Sequence, residues 1–259
     1  MTKKPVRRIL VTNDDGIDAP GLKTARKIAE QLSDDVWVVA PAEENSGASH
    51  SLSLTRPMRL TKRGPKRYAV GGTPTDCVAV ALRHILFDDP PSLVISGVNF
   101  GQNICEDVSY SGTVSAAKEG TVFGIKSVAL SQTMSFDGKR QVRFGVAERY
   151  APDIIRKLYA QDWPAGTLMN VNFPDIDPKT KCKTLVTKQG KRDRSILRLT
   201  ERRDPRDNPY FWYSFDMTPQ TPPAGTDMQA IYNGDISITP LKMDHTDTTL
   251  HTRLGRLFQ

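Results

Sequence analysis

Apolar positions along this chain fall into short runs alternating with helical stripes. Residues 9–12 and 36–40 ("VWVVA") are almost wholly apolar, as expected of strands covered on both faces. Residues 22–32, 76–86, 114–122 and 142–158 carry apolar residues at helical spacing, and 93–96, 127–130 and 168–173 ("LMNVNF") are further strand candidates. Strands alternating with helices in this way predict βαβ units and a parallel sheet.

The pattern changes at 55–70, where short charged pieces ("PMRLTKR", "KRYAV") read as an inserted hairpin. Beyond Asp175 the regularity fades. Residues 188–207 are dense in both charge signs, and "DPRDNPYFWYSF" follows with turn residues and an aromatic alternation. This region reads as a protruding β arm serving as an oligomer contact or lid. "TPPAGTD" is expected to be a loop and 235–241 a late strand. The division expected is one domain over 1–259, with an α/β core at 1–175 and an arm and tail at 176–259.

At 259 residues the chain can bury a sizeable core. Its 36 Lys and Arg against 29 Asp and Glu give +7, which suggests anionic partners and is also ordinary for an enzyme. The basic stretch at 188–207 carries no helix-turn-helix or RNA-binding signature, and acidic residues interrupt it, so specific nucleic-acid binding is not expected. Cys77, Cys105 and Cys182 lie far apart and form no CxxC pair, so neither a disulfide framework nor a thiolate zinc site is indicated and a reducing compartment fits. The apolar stretch after the basic start is too short for a signal-peptide core, and no run suits a membrane span. A cytoplasmic protein is expected.

In a parallel sheet, ligands bind beyond the carboxyl ends of the strands. Three such loops stand out: Asn13 to Gly16, "PAEENSGASHS", and "GVNFGQN" leading into "VSYSGTVSAAKEG". They are rich in oxygen donors (Asp14, Asp15, Ser46, Asn99, Asn103) and poor in His and Cys, which suits a hard divalent ion such as Mg²⁺ or Mn²⁺. Two adjacent carboxylates repel unless something positive lies between them. A turn or a cap from Asp15 or Asp18 on the helix near Pro20 would explain one of them and leave the other. Ser111, Gly112 and Thr113 sit at a predicted helix start, which reads equally as an N-cap by Ser111 or Thr113 and as an anion site. "GGTPTDC" reads as a helix start, with Thr73 as N-cap and Pro74 in the first turn. His50 reads as a hydrogen-bonded loop histidine, and Lys118 and Glu119 as solvated.

Taken together, "TNDDGIDAPGL", "APAEENSGASHSLSL", "GGTPTDCV", "SGVNFGQN", "YSGTVSAAKEG" and "ISITPL", in this order, resemble the SurE (survival protein E) family of metal-dependent nucleotidases. The resemblance implies a Rossmann-like α/β fold whose C-terminal β-rich arm and swapped tail build a homodimer or homotetramer. It implies hydrolysis of nucleoside 5′-monophosphates and 3′-monophosphates, and of short polyphosphate. It places one divalent ion per subunit on Asp14, Asp15, Ser46 and Asn99, with Asp14 or Asp15 acting on the attacking water and Asp14 the first choice. The phosphate side falls on Asn103, Ser111, Gly112 and Thr113. In the tail, Lys242 stands where relatives often carry His, and His245 is not an obvious replacement. Two other classes compete. A phosphorylation-receiving domain would need an Asp where the third core strand ends, but Gly97, Val98 and Asn99 stand there. A nucleic-acid-binding protein would rest on net charge and the arm alone.

Overall fold

The computed structural model describes residues 4–135, 142–192, 196–216 and 220–258. Nine strands form one sheet, built on β1 (Ile9–Thr12), β2 (Val36–Pro41), β5 (Leu93–Phe100), β6 (Lys126–Gln132) and β7 (Thr167–Phe173). A hairpin of β3 (Leu60–Gly64) and β4 (Arg67–Val70) lies outside β2, and β11 (Ile236–Lys242) and β8 (Thr184–Val186) complete the opposite edge. The order is β3-β4-β2-β1-β5-β6-β7-β11-β8. All neighbours from β4 to β7 run parallel, while β3 and β11 are antiparallel to β4 and β7. The chain leaves β1 toward β2 on one side and returns to β5 on the other, so the crevice between β1 and β5 is the switch point.

Strand alternation sorts side chains to the two faces. Ile9 and Val11 join Leu22, Ala25 and Ile28 of α1 (Pro20–Glu30) and Val146, Ala151 and Ile155 of α5 (Gly145–Tyr159). Leu10 and Val94 face the other way, onto Cys77, Val78 and Ala81 of α2 (Pro74–Val80) and the π turn continuing it, and Ala116 of α4 (Gly112–Val122). Each fully buried Val, Leu or Ile side chain here contributes about 1.5–3 kcal/mol. Gly21 lets α1 approach the sheet closely, because a Cβ there would lie 1.9 Å from the carbonyl oxygen of Val98.

The α/β architecture is as the hydropathy pattern predicts, including the 55–70 hairpin and the late strand. The sheet runs across the boundary expected at residue 175, since β11 and β8 both belong to it. The arm is a separate antiparallel pair, β9 (Leu197–Arg203) and β10 (Pro209–Phe215). Four of the described elements have no counterpart in the sequence reading: β8, the short α3 (Asp107–Tyr110), α6 (Asp227–Tyr232) and the exposed α7 (Thr248–Leu257). No described helix is long and apolar enough to cross a membrane.

Candidate active site

β1 ends at Thr12, and the chain turns through Asn13 to Gly16. Asn13 Nδ2 donates to the carbonyl of Gly16 at 2.9 Å, and Gly16 takes φ +101° beside the backbone of Glu43, a conformation that favours glycine. This turn directs Asp14 and Asp15 in different directions. Asp14 is buried at 3% exposure and accepts the Thr113 hydroxyl at 2.5 Å. Asp15, half-buried, accepts the backbone N–H of Phe100 at 3.3 Å. The first carboxylate therefore meets the start of α4, and the second meets the exit of β5.

Neither aspartate caps a helix. The N-cap of α1 is Ala19, with no side-chain cap bond, and Asp18 binds Arg67 at 2.7 Å instead. The capping explanation for Asp15 and Asp18 is thereby overturned. At α4 the open choice is resolved: Ser111 is the N-cap, its Oγ accepting from Val114 N at 3.1 Å, while Thr113 is turned to Asp14. Gly112 is required between them, since a Cβ there would stand 2.7 Å from the Asp14 Cβ. With both hydroxyls and the Val114 N–H occupied, what the helix start offers an anion is the backbone N–H groups of Gly112 and Thr113, the latter beside the Asp14 carboxylate.

Ser46 is exposed, with its hydroxyl on Glu44 at 3.0 Å, and its loop is tied to the first by Asn45 N donating to the Asp14 carbonyl at 2.8 Å. Asn99 directs Nδ2 to the Gly101 carbonyl at 3.0 Å, which leaves Oδ1 as its atom for a cation. Asn103 lies deeper than a ligand contact suggests. Its Nδ2 donates to Ser131 Oγ at 2.9 Å, its N–H to Asn172 at 2.7 Å, and its carbonyl accepts from Asn170 and Asn172. Asn103 thus anchors the loop after β5 to β6 and β7.

The electrostatics call for positive charge. Burial raises the Asp14 carboxyl above its ordinary range, with the Thr113 bond opposing the rise. Burial, and then the neighbouring Asp14, push Asp15 up to about 7. Buried oxygens without a hydrogen-bond partner gather at the same strand ends: Thr12 Oγ1, Asn13 Oδ1 and Ser96 Oγ, with Thr12 and Ser96 paired across β1 and β5. No three His, Cys, Asp or Glu side chains cluster around a metal position among the described residues. Two carboxylates with neutral oxygens are therefore the available donor set, and that set fits a hard divalent cation rather than zinc.

Residues the sequence reading gave other roles hold the Ser46 loop down. His50 is hydrogen-bonded, as expected, and its partner is Glu119 at 2.9 Å. Glu119 is only 12% exposed and Lys118 is half-buried, so the expectation that both are solvated is corrected. Thr73 and Asp76 form the capping box of α2 and also bind the loop at the Ser51 carbonyl and Ser53 N–H. Ser49 donates to the carbonyls of Ser109 and Tyr110.

Comparison with known proteins adds the lineage. The family model described as survival protein SurE matches residues 9–195, which includes all three site loops. The chain belongs to the SurE family. A protein of Parvibaculum lavamentivorans named 5′-nucleotidase SurE is 56% identical over 256 residues, covering 97% of this chain and 92% of that one. A protein of the same name from Azorhizobium caulinodans is 53% identical over 252 residues, covering 97% and 99%. The crystal structure of the SurE protein from Aquifex aeolicus superposes with a TM-score of 0.81 at 36% identity, covering 97% of this chain and all of that one.

Proposed function

We propose that this SurE-family protein is a metal-dependent nucleotidase that hydrolyses nucleoside 5′-monophosphates to nucleoside and phosphate. The observation that carries the reading is the pair Asp14 and Asp15, both held above the ordinary carboxylate range at the β1–β5 switch point with neutral oxygen donors beside them. Relatives named 5′-nucleotidase SurE, 53–56% identical over nearly the whole chain, support it.

Asp14, Asp15, Ser46 and Asn99 would hold one divalent ion per subunit, Mg²⁺ or Mn²⁺. When bound, the ion screens the phosphoryl charge and activates water for attack. The first turn of α4 receives the non-bridging phosphate oxygens on the N–H groups of Gly112 and Thr113, since the Ser111 N–H is spent on the Asp107 carbonyl and that of Val114 on the Ser111 hydroxyl. Asp14, packed on Gly112 and fixed by Thr113, is the carboxylate nearest that turn, and it orients the attacking water and takes its proton. The water oxygen bonds phosphorus, the ester bond breaks, the nucleoside oxygen leaves with a proton drawn from solvent, and Asp14 returns its own proton to solvent. We extend the reading to 3′-monophosphates and short polyphosphate.

The arm completes the proposal at the level of assembly. Leu199 pairs with Tyr213, and Phe211 lies opposite Glu201 on the same face, with Leu199, Phe211 and Tyr213 all more than half exposed. We assign that face to a second copy of the chain, in a homodimer or homotetramer. The deciding experiment is phosphate release from a panel of nucleoside monophosphates, with and without a chelator, on the wild type and Asp14→Asn. Turnover that requires the divalent ion and is lost in the variant is the expected result. Turnover unchanged by the chelator or by the substitution would sink the reading.

A further inference from the structure

A buried guanidinium lies outside the site and is not used by the chemistry above. Arg192, at the root of the arm, has a side chain only 7% exposed. It grips Asp107 with both prongs, Nη1 to Oδ1 at 3.0 Å and Nη2 to Oδ2 at 2.8 Å. Its N–H donates to Glu106 at 3.1 Å, and Nη1 reaches the same carboxylate at 3.3 Å. The neighbouring joint is equally filled. Asp227, fully buried, accepts from the N–H groups of Cys105 and Gly190, and Gln189 donates to the Cys105 carbonyl. A Cβ on Gly190 would stand 2.8 Å from both Asp227 and Cys105, so the two segments lie in direct contact.

What Arg192 grips is the turn beneath the phosphate side. Asp107 opens α3, and its carbonyl accepts the N–H of Ser111 at 2.9 Å. Ser111 caps α4, Thr113 holds Asp14, and the Ser109 and Tyr110 carbonyls hold the Ser46 loop through Ser49. A bidentate arginine–carboxylate pair fixes direction as well as distance, and here the guanidinium has little water to turn to, its side chain being 7% exposed against 23% for that of Asp107. We propose that Arg192 is a positioning residue for the hydrolysis: it clamps the α3 turn, and through it the start of α4 and Asp14, to the root of the arm. The inference rests on the reading of Ser111 to Thr113 as the phosphate side.

The test is steady-state kinetics with a nucleoside monophosphate and saturating divalent ion, with inhibition by inorganic phosphate measured alongside. The proteins are Arg192→Met, Arg192→Lys, Asp107→Asn and the Arg192→Met/Asp107→Asn double variant, each normalised to its folded fraction. Because a misplacement near 1 Å can cost about a hundredfold, kcat is expected to fall about tenfold to a hundredfold in Arg192→Met and in Asp107→Asn. The double variant should lose no more than the worse single one, phosphate should inhibit more weakly, and Arg192→Lys should recover part of the loss. Wild-type kcat and phosphate inhibition per folded molecule in Arg192→Met would overturn the proposal, whatever the melting temperature. If that variant does not fold, Asp107→Asn decides alone, and normal kinetics there overturn it. An inactive wild type would count against the phosphate site itself, whereas an active wild type with normal variants would count only against Arg192.

Discussion

Thr113 lends its hydroxyl to a carboxylate 99 positions earlier, and this bond sets how Asp14 sits. Replacing it by valine leaves a buried carboxylate without that partner, at a cost of about 1–3 kcal/mol. Thr113→Val should therefore melt several degrees lower and turn over more slowly, as calorimetry and phosphate release would show. Asp15 gives a pH prediction with a definite sign. Its folded carboxyl lies at about 7, above the 3.8 of an unperturbed aspartate, so between those values the native state holds more protons than the unfolded chain. Without a divalent ion, stability falls as pH rises through that window. Melting temperatures of chelated protein from pH 4 to pH 8 should show the decline, and Asp15→Asn should reduce it, Asp14 supplying the remainder. Added Mg²⁺ or Mn²⁺ should restore stability most at the alkaline end. The paired carboxylates were legible in the sequence because two adjacent charges at the end of an apolar run demand a reason. The Thr113 bond was not, since nothing local marks a partner so far along the chain.

Among the elements, α2 and α4 stand side by side over the end of β1, and each start has a second duty. The capping box of α2 also fastens the Ser46 loop, so Thr73→Ala should cost about 1–2 kcal/mol and impair turnover together. A cap with no further role would lower stability alone, and comparing Tm with kcat separates the two cases. At α4 the restraint is steric. Gly112→Ala should depress kcat more than stability, because the added methyl displaces Asp14 rather than a core side chain. Both helix starts were readable from their cap residues, and the parallel strands from their apolar runs. β8 was hidden because its three residues are largely exposed, and α7 because none of its residues is buried and its place depends on no core contact. The anchoring bonds of Asn103 were hidden for a related reason: an amide in a polar loop gives no sign in sequence that it points inward.

For the whole molecule, the sheet is continuous from the inserted hairpin to the late strand, and among the described strands only the β9–β10 pair stands apart from it. Phe211→Ser with Tyr213→Ser should therefore lower the sedimenting mass toward a single protomer while leaving the far-UV spectrum unchanged. An unaltered mass would remove the arm from assembly. The Asp14–Thr113 contact has a further consequence for folding. Its partners come from the turn after β1 and from α4, beyond β5, so the carboxylate pair, the second loop and the α4 start converge only after the parallel core has closed. Parallel strands joined by long crossovers close late, because loop entropy is lost before their contacts form. No single loop of the chain brings the residues of the site together. A divalent ion held there binds only the finished fold, and at a hundred times its Kd it adds about 2.7 kcal/mol to it.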